Sequence, residues 1–364
     1  MRGIINHFRR LDWILVGRMF GLVAIGTLSI YSSSGARDDF SNFEKQLLFF
    51  AVGLVLMVAV SFVDYRVLRN NPYLILFLYG IGLAALLGLF IFAPEIRGSR
   101  GWYRVGGVSL DPVEFMKLVL VVLMAKYFAL RHVEAYRVRH IILTGVYFII
   151  PMLLIALQPD LGPTLILGLL WVVLLLVAGI RFRYLLALLL IGTLLFAVGW
   201  SAFLLDYQKN RILSFLEPGL DPLGIGWSQL QAKIAIGNGG LFGQGFSQGT
   251  QTQFGFLSEP QTDFIFSALA EEFGLVGIFL LFALLAVLIW RIVRVGLEAQ
   301  DNFSRLFAAG LATLFIGQTF INVGMNLGLL PIIGLSLPFV SYGGSSLILT
   351  CIGLGIILSI RARG

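Results

Sequence analysis

Long apolar stretches cut by short polar connections set the pattern of this chain from end to end. Apolar windows fall near 13–33, 46–63, 73–93, 112–130, 141–157, 161–180, 184–204, 263–290, 304–329 and 345–360. Each approaches the ~20 apolar residues that a helix needs to cross a hydrocarbon core of about 30 Å. The apolarity is continuous, whereas a barrel strand alternates apolar and polar positions over about ten residues. The pattern therefore predicts an all-α polytopic membrane protein with about ten transmembrane helices. Residues 1–364 read as a single integral membrane domain, with one large polar connection, 205–262, between the seventh and eighth spans.

Composition sharpens this. Hydrophobic residues make up 58% of the chain and charged residues 12%, against roughly 45–50% and about 25% in soluble domains. The first apolar run, Trp13 to Tyr31, contains Arg18 and exceeds the ~7–15 residues of a signal-peptide core, so it reads as an uncleaved span. The single cysteine, Cys351, allows no intramolecular disulfide and lies in an apolar run, where packing explains it. The net charge of +7 has its source in the connections rather than in a nucleic-acid surface. Arg2, Arg9, Arg10, Arg66, Arg69, Arg131, Arg137, Arg139, Arg181, Arg183, Arg291, Arg294, Arg305, Arg361 and Arg363 fall on one side. The other side has Arg37, Lys45, Arg97, Arg100, Arg104, Lys209, Arg211 and Lys233, so fifteen face eight. The fifteen are expected in the cytoplasm, with both termini inside and 205–262 outside.

Charged and helix-breaking residues inside this apolar frame mark candidate chemistry. Pro112 is expected to open a helix, placing Glu114 and Lys117 at i,i+3 on one face. An intramembrane charge is costly unless it faces a partner or a wet cavity, so the pair reads either as a mutual salt bridge or as an anion site. Pro159 and Pro163 bracket Asp160, which is either a turn carboxylate or a ligand. The glycines of AIGNGGLFGQGFSQG (235–249) demand tight turns that could cradle phosphate, although no Walker pattern is present. Residues 227–236 suggest a short interfacial helix, with Lys233 reaching lipid phosphates. Asp263 follows Thr262, an expected N-cap, and is placed in the first turn of a helix, as a general base or merely as a cap. Glu271 and Glu272 lie two turns deeper and read as structural. The stretch 328–346, with Pro331, Gly334, Pro338, Ser341, Tyr342, Ser345 and Ser346, reads as a non-helical cavity wall.

Several of these segments together resemble the SEDS family (shape, elongation, division and sporulation proteins), most closely its RodA branch. They are QPDLGPT at 158–164, Tyr207 through Arg211 to Pro218, AIGNGG with the following GQG, GTQTQFGFL, TDFIFSALAEEFGLVG at 262–277 and GLLPIIGLSLPFVSYGGSS at 328–346. The resemblance implies a glycosyltransferase in the cytoplasmic (inner) membrane of a bacterium, with its active site facing outward. Such enzymes polymerise lipid II into peptidoglycan strands beside a class B penicillin-binding protein and other elongation-complex proteins. It puts the family's essential carboxylate on Asp263. The family's Q-P-S-E-x-x-K pattern falls on 111–117, where Glu114 and Lys117 match and Asp111 and Val113 depart. A family P-E-x-H-T-D pattern meets Ser258-Glu259-Pro260-Gln261-Thr262-Asp263, which lacks the His. Inverting chemistry needs a base on the acceptor hydroxyl and charge stabilisation at the departing diphosphate. The resulting expectation makes Asp263 the base, with Lys117, Glu114, Asp160, Arg211, Lys233, Arg104, Ser341 and Tyr342 around the substrate. A divalent cation (Mg or Mn) could share the work. The competing readings are a lipid II flippase, a scaffold for the penicillin-binding protein, and a division or sporulation paralogue.

Overall fold

The computed structural model describes residues 7, 9–94, 101–131, 138–158, 160–202, 206–217 and 224–363. Arg2, Arg97, Arg100, Arg137, Pro159 and Pro218 lie outside the described residues. Helix α1 (Trp13–Gly35) starts where the Asp12 carboxylate accepts the Leu15 N–H at 3.1 Å, a side-chain N-cap. It is followed by α2 (Ser41–Phe62), short α3 (Arg66–Asn70) and α4 (Pro72–Phe92), the last capped by Asn71 with proline at its start. A two-stranded hairpin, β1 (Tyr103–Val105) and β2 (Val108–Leu110), pairs Tyr103 with Leu110. Next come α5 (Pro112–Arg131), α6 (Val138–Ala156), α7 (Leu161–Val177) and α8 (Phe182–Ala202). The large polar connection is itself mostly helical: α9 (Asp206–Leu216), α10 (Ile225–Gly239) and α11 (Thr250–Gln253). The interfacial helix expected at 227–236 falls inside α10. The chain ends with α12 (Ile265–Glu298), α13 (Asn302–Leu327) and α14 (Gly344–Arg363).

Among the described residues, α1, α2, α4, α6, α8, α12, α13 and α14 are long and apolar enough to cross a membrane. Apolar α7 is 17 residues long. Helix α5 carries Glu114, Lys117 and Lys126, yet Met116 through Ala125 are buried without interruption. It lies against α4, α13 and α14 at the centre of the bundle, so its charges face protein rather than lipid, where they would be costly. Helices α5 and α7 coincide with the two remaining apolar windows, 112–130 and 161–180. Helix α8 is the opposite case, with no buried residue in its apolar stretch.

Helix α12 runs eight residues past the expected end at 290 because its basic end finds partners. Arg291 Nε donates to Asp12 at 2.8 Å, and Arg294 pairs with Glu298 at 2.7 Å one turn on. Arg361 also pairs with Glu298, Arg363 with Asp64 at 3.4 Å, and Arg69 with Asp301 at 3.9 Å. These contacts knit the arginine-rich end of the bundle.

Nearer its start, α12 breaks at Gly274 (φ 62°, ψ −163°), and the glycine-rich stretch fills the break. Gln244 and Gly245 N–H donate to the Glu271 and Glu272 carbonyls at 2.9 and 3.1 Å. Leu275 and Val276 N–H donate to the Gly240 and Leu241 carbonyls at 3.0 and 3.1 Å. A Cβ on Gly243 (φ 82°) would overlap the Glu272 carbonyl. The glycines therefore permit backbone-on-backbone contact where lipid could satisfy nothing. The phosphate-cradle reading is corrected accordingly, since the Gln244 and Gly245 donors are spent on α12.

Candidate active site

The site is built around an irregular turn that precedes α12. Glu259 takes a positive φ of 44°, and its carbonyl accepts from the N–H of both Thr262 and Phe264, at 3.3 and 3.2 Å. The helix begins only at Ile265, with Phe264 as N-cap and no side-chain capping bond. Thr262 is thus not the cap that its position suggests, and Asp263 stands in the turn ahead of the helix. Two buried asparagines hold it there. Asn322 and Asn326, one turn apart on α13, both donate from Nδ2 to the Asp263 carbonyl, at 3.2 and 2.9 Å. Asn326 Oδ1 accepts from the Ser267 N–H and hydroxyl at 3.2 and 2.6 Å, and Asn322 also reaches the Leu335 carbonyl at 2.7 Å. Backbone position is therefore fixed by these asparagines, and Asp263 is only partly covered.

The non-helical stretch 328–343 forms the adjoining wall. A Cβ on Gly334 would lie 3.8 Å from Asp263 Oδ2, so the carboxylate runs along bare backbone. Ser341 Oγ donates to the Thr262 carbonyl at 2.8 Å and accepts the Leu337 N–H at 2.9 Å. Tyr342 N–H donates to the Gln261 carbonyl at 2.8 Å. Gln261 in turn donates to Ser34 at 3.2 Å and accepts from Asn42 at 2.7 Å. Ser341 and the Tyr342 backbone thus brace the turn that carries Asp263.

The second half of the site comes from α5, α7 and α9. Lys117, 2% exposed, donates to Glu114 Oε1 at 2.6 Å, the mutual pair that i,i+3 spacing allows. Asp111 precedes Pro112. Its Oδ1 accepts the Val113 N–H at 2.8 Å, and its own N–H donates to Ser345 Oγ at 2.9 Å. Asp160 is the N-cap residue of α7. Gly162 seats that helix end on 328–343, since a Cβ there would come within 2.5 Å of the Ile333 carbonyl. Burial pushes the Asp160 carboxyl up to about 6 against the pull of Arg211 and Lys117, and Asp263 adds to the rise. Burial, with Glu114 beside it, pushes Asp111 up to about 8, while Lys117 opposes. Glu114, Lys117, Asp160, Arg211 and Asp263, from four parts of the chain, therefore share one electrostatic site at the end opposite the arginine-rich contacts.

Two other expected site residues are exposed. Arg104 is exposed on β1 and Lys233 is exposed on α10. The Lys233 amine end lies over Gly328, the left-handed C-cap of α13 (φ 71°), where a helix's partial negative charge favours a cation. Glu271 is structural. It accepts the N–H groups of Gln251 and Thr252 at 2.7 and 3.1 Å and the Thr252 hydroxyl at 2.9 Å, fixing α11. Glu272 binds Ser32 of α1. Among the described residues, no group of three or more His, Cys, Asp or Glu is placed to hold a metal ion, and no step below uses one. Sequence reasoning missed Asn322 and Asn326. Their i,i+4 spacing within an apolar window was the available signal.

Comparison with known proteins fits this geometry. The family model for FtsW/RodA/SpoVE, described as cell cycle protein, matches residues 9–363. The chain is 37% identical over 354 residues to the peptidoglycan glycosyltransferase MrdB of Escherichia coli K12, covering 97% of this chain and 94% of that protein. It is 36% identical over 363 residues to stage V sporulation protein E of Bacillus subtilis, covering 96% of each. A solved chain from a peptidoglycan synthase complex that coordinates polymerization and crosslinking superposes with a TM-score of 0.83. Its identity is 32%, over 96% of this chain and 97% of that one. With a family match and relatives along nearly its whole length, the chain belongs to the SEDS (FtsW/RodA/SpoVE) family of multi-pass bacterial membrane proteins.

Proposed function

We propose that this chain is a peptidoglycan glycosyltransferase that polymerises lipid II on the outer face of the cytoplasmic membrane during cell elongation. The observation that carries the reading is the meeting of Asp263 with Lys117, Glu114, Asp160 and Arg211 at one end of the bundle. Asp263 takes the proton from the attacking 4-hydroxyl as the new glycosidic bond forms. Lys117 and Arg211 offset the charge that develops on the departing diphosphate. A fixed backbone beneath the base costs no reorganisation at the moment of reaction. The outward orientation rests on the charge bias of the connections. A class B penicillin-binding protein supplies the crosslinking, in line with the synthase complex that this chain resembles.

The test is purified protein with its penicillin-binding partner, the transpeptidase blocked, given labelled lipid II in detergent. Glycan strands many sugars long are the expected product. A flippase or a scaffold yields none, because detergent leaves nothing to transport across and the blocked partner cannot polymerise.

A further inference from the structure

Asp111, just ahead of α5, is a departure from the family pattern. The family pattern has an amide at the place of Asp111, and here an acid stands two residues from a proline-opened helix. One of its oxygens is committed. Oδ1 accepts the Val113 N–H at 2.8 Å and so fixes the side chain against the helix start. The other, Oδ2, has no protein partner among the described residues and is not sealed off.

Glu114 on the same helix and Asp160 at the start of α7 both bear on the Asp111 carboxyl. Lys117 opposes them, with its ammonium engaged by Glu114 at 2.6 Å. From α14 comes only the Ser345 hydroxyl, which takes the Asp111 N–H at 2.9 Å. Arg211 and Asp263 lie one step further, both acting on Asp160. Ionised, Asp111 would add a negative charge beside Glu114 and Asp160. Added negative charge there disfavours an anionic diphosphate.

We propose that Asp111 is a positioning residue of the donor site. As a neutral carboxylic acid, it donates a hydrogen bond from Oδ2 to the diphosphate of the lipid-linked sugar, in the place of the family's amide. This rests on the glycosyltransferase reading of the same site. An un-ionised acid offers a donor and removes one negative charge, two changes that act in the same direction. Burial and the neighbouring Glu114 push Asp111 up to about 8, so the acid form is present at neutral pH. Its share falls as the pH rises through about 8. Raising the pH therefore both removes the donor and adds a repelling charge.

The experiment measures initial rates of lipid II polymerisation between pH 6 and 9.5 by the full-length protein with its partner. Wild type, Asp111→Gln and Asp111→Ala are compared. Wild-type activity is expected to fall about tenfold between pH 7 and 9 relative to Asp111→Gln, whose amide donates at every pH. Asp111→Ala should lose about tenfold at pH 7, with Asp111→Gln recovering most of that loss. Parallel wild-type and Asp111→Gln profiles would overturn the assignment, as would an Asp111→Gln protein no better than Asp111→Ala. A wild type that makes no glycan at any pH would instead refute the glycosyltransferase reading, and the role of Asp111 with it.

Discussion

The Glu114–Lys117 pair makes the most quantitative demand on the structure. Lys117 is 2% exposed and Glu114 13%, with 2.6 Å between them. Such a pair is expensive to break from one side, because the remaining charge stays buried without a partner. Losses of about 3–5 kcal/mol are usual, whereas replacing both partners with apolar groups of similar size is often close to neutral. Glu114→Gln and Lys117→Met should each therefore destabilise the protein by about 3 kcal/mol, near the low end because Glu114 is partly exposed. Glu114→Leu with Lys117→Met should return most of that stability while leaving polymerisation abolished. Apparent melting temperature in detergent reads the first outcome, and glycan synthesis from lipid II the second. Single variants that melt with the wild type would refute the buried pair. A double variant that polymerises normally would remove Lys117 from the substrate site.

Two further outcomes follow from the same geometry. Asn326→Leu removes one of the two donors to the Asp263 carbonyl and frees the start of α12. It should lower the polymerisation rate about 10- to 100-fold, with the protein still folded by gel filtration. Asp160 sits at about 6 rather than 3.8, so the folded state holds its proton more tightly than the unfolded chain does. Stability from this group is complete below pH 4 and lost as pH rises through 6. That rise corresponds to about 3 kcal/mol, or about 1–2 once its partial exposure is allowed for. Asp160→Asn should thus melt higher than wild type at pH 8, with the difference vanishing at pH 4. Equal melting at both values would mean that Asp160 carries no such burden.

Which parts of this protein were legible in its sequence follows from what each residue responds to. The spans respond to the bilayer, and continuous apolar windows reported them, down to α5 with its four charged residues. The Glu114–Lys117 pair was readable because helical spacing alone brings i and i+3 together. The end of α12 was not, since it depends on Asp12, 279 residues away from Arg291 in sequence. The glycines of 237–249 announced tight backbone but not its partner, because the break at Gly274 exists only once the loop lies in it. Asp263 shows the same limit. Thr262 before it reads as an N-cap, yet the pull of Asn322 and Asn326 on its carbonyl belongs to a different helix, and Asp263 stands in a turn rather than in a helix. Asp160 and Arg211 were each ambiguous alone and became informative only when found beside each other.

The central claim is that Asp263 removes a proton from the acceptor hydroxyl, and one substitution tests it most directly. Asp263→Asn keeps the size of the side chain and leaves the asparagine-held backbone in place, but takes away the base. In a purified complex with the transpeptidase blocked, the account predicts that glycan synthesis from lipid II falls about 10²–10⁴-fold, with melting temperature and partner binding retained. Full polymerisation by Asp263→Asn would contradict it.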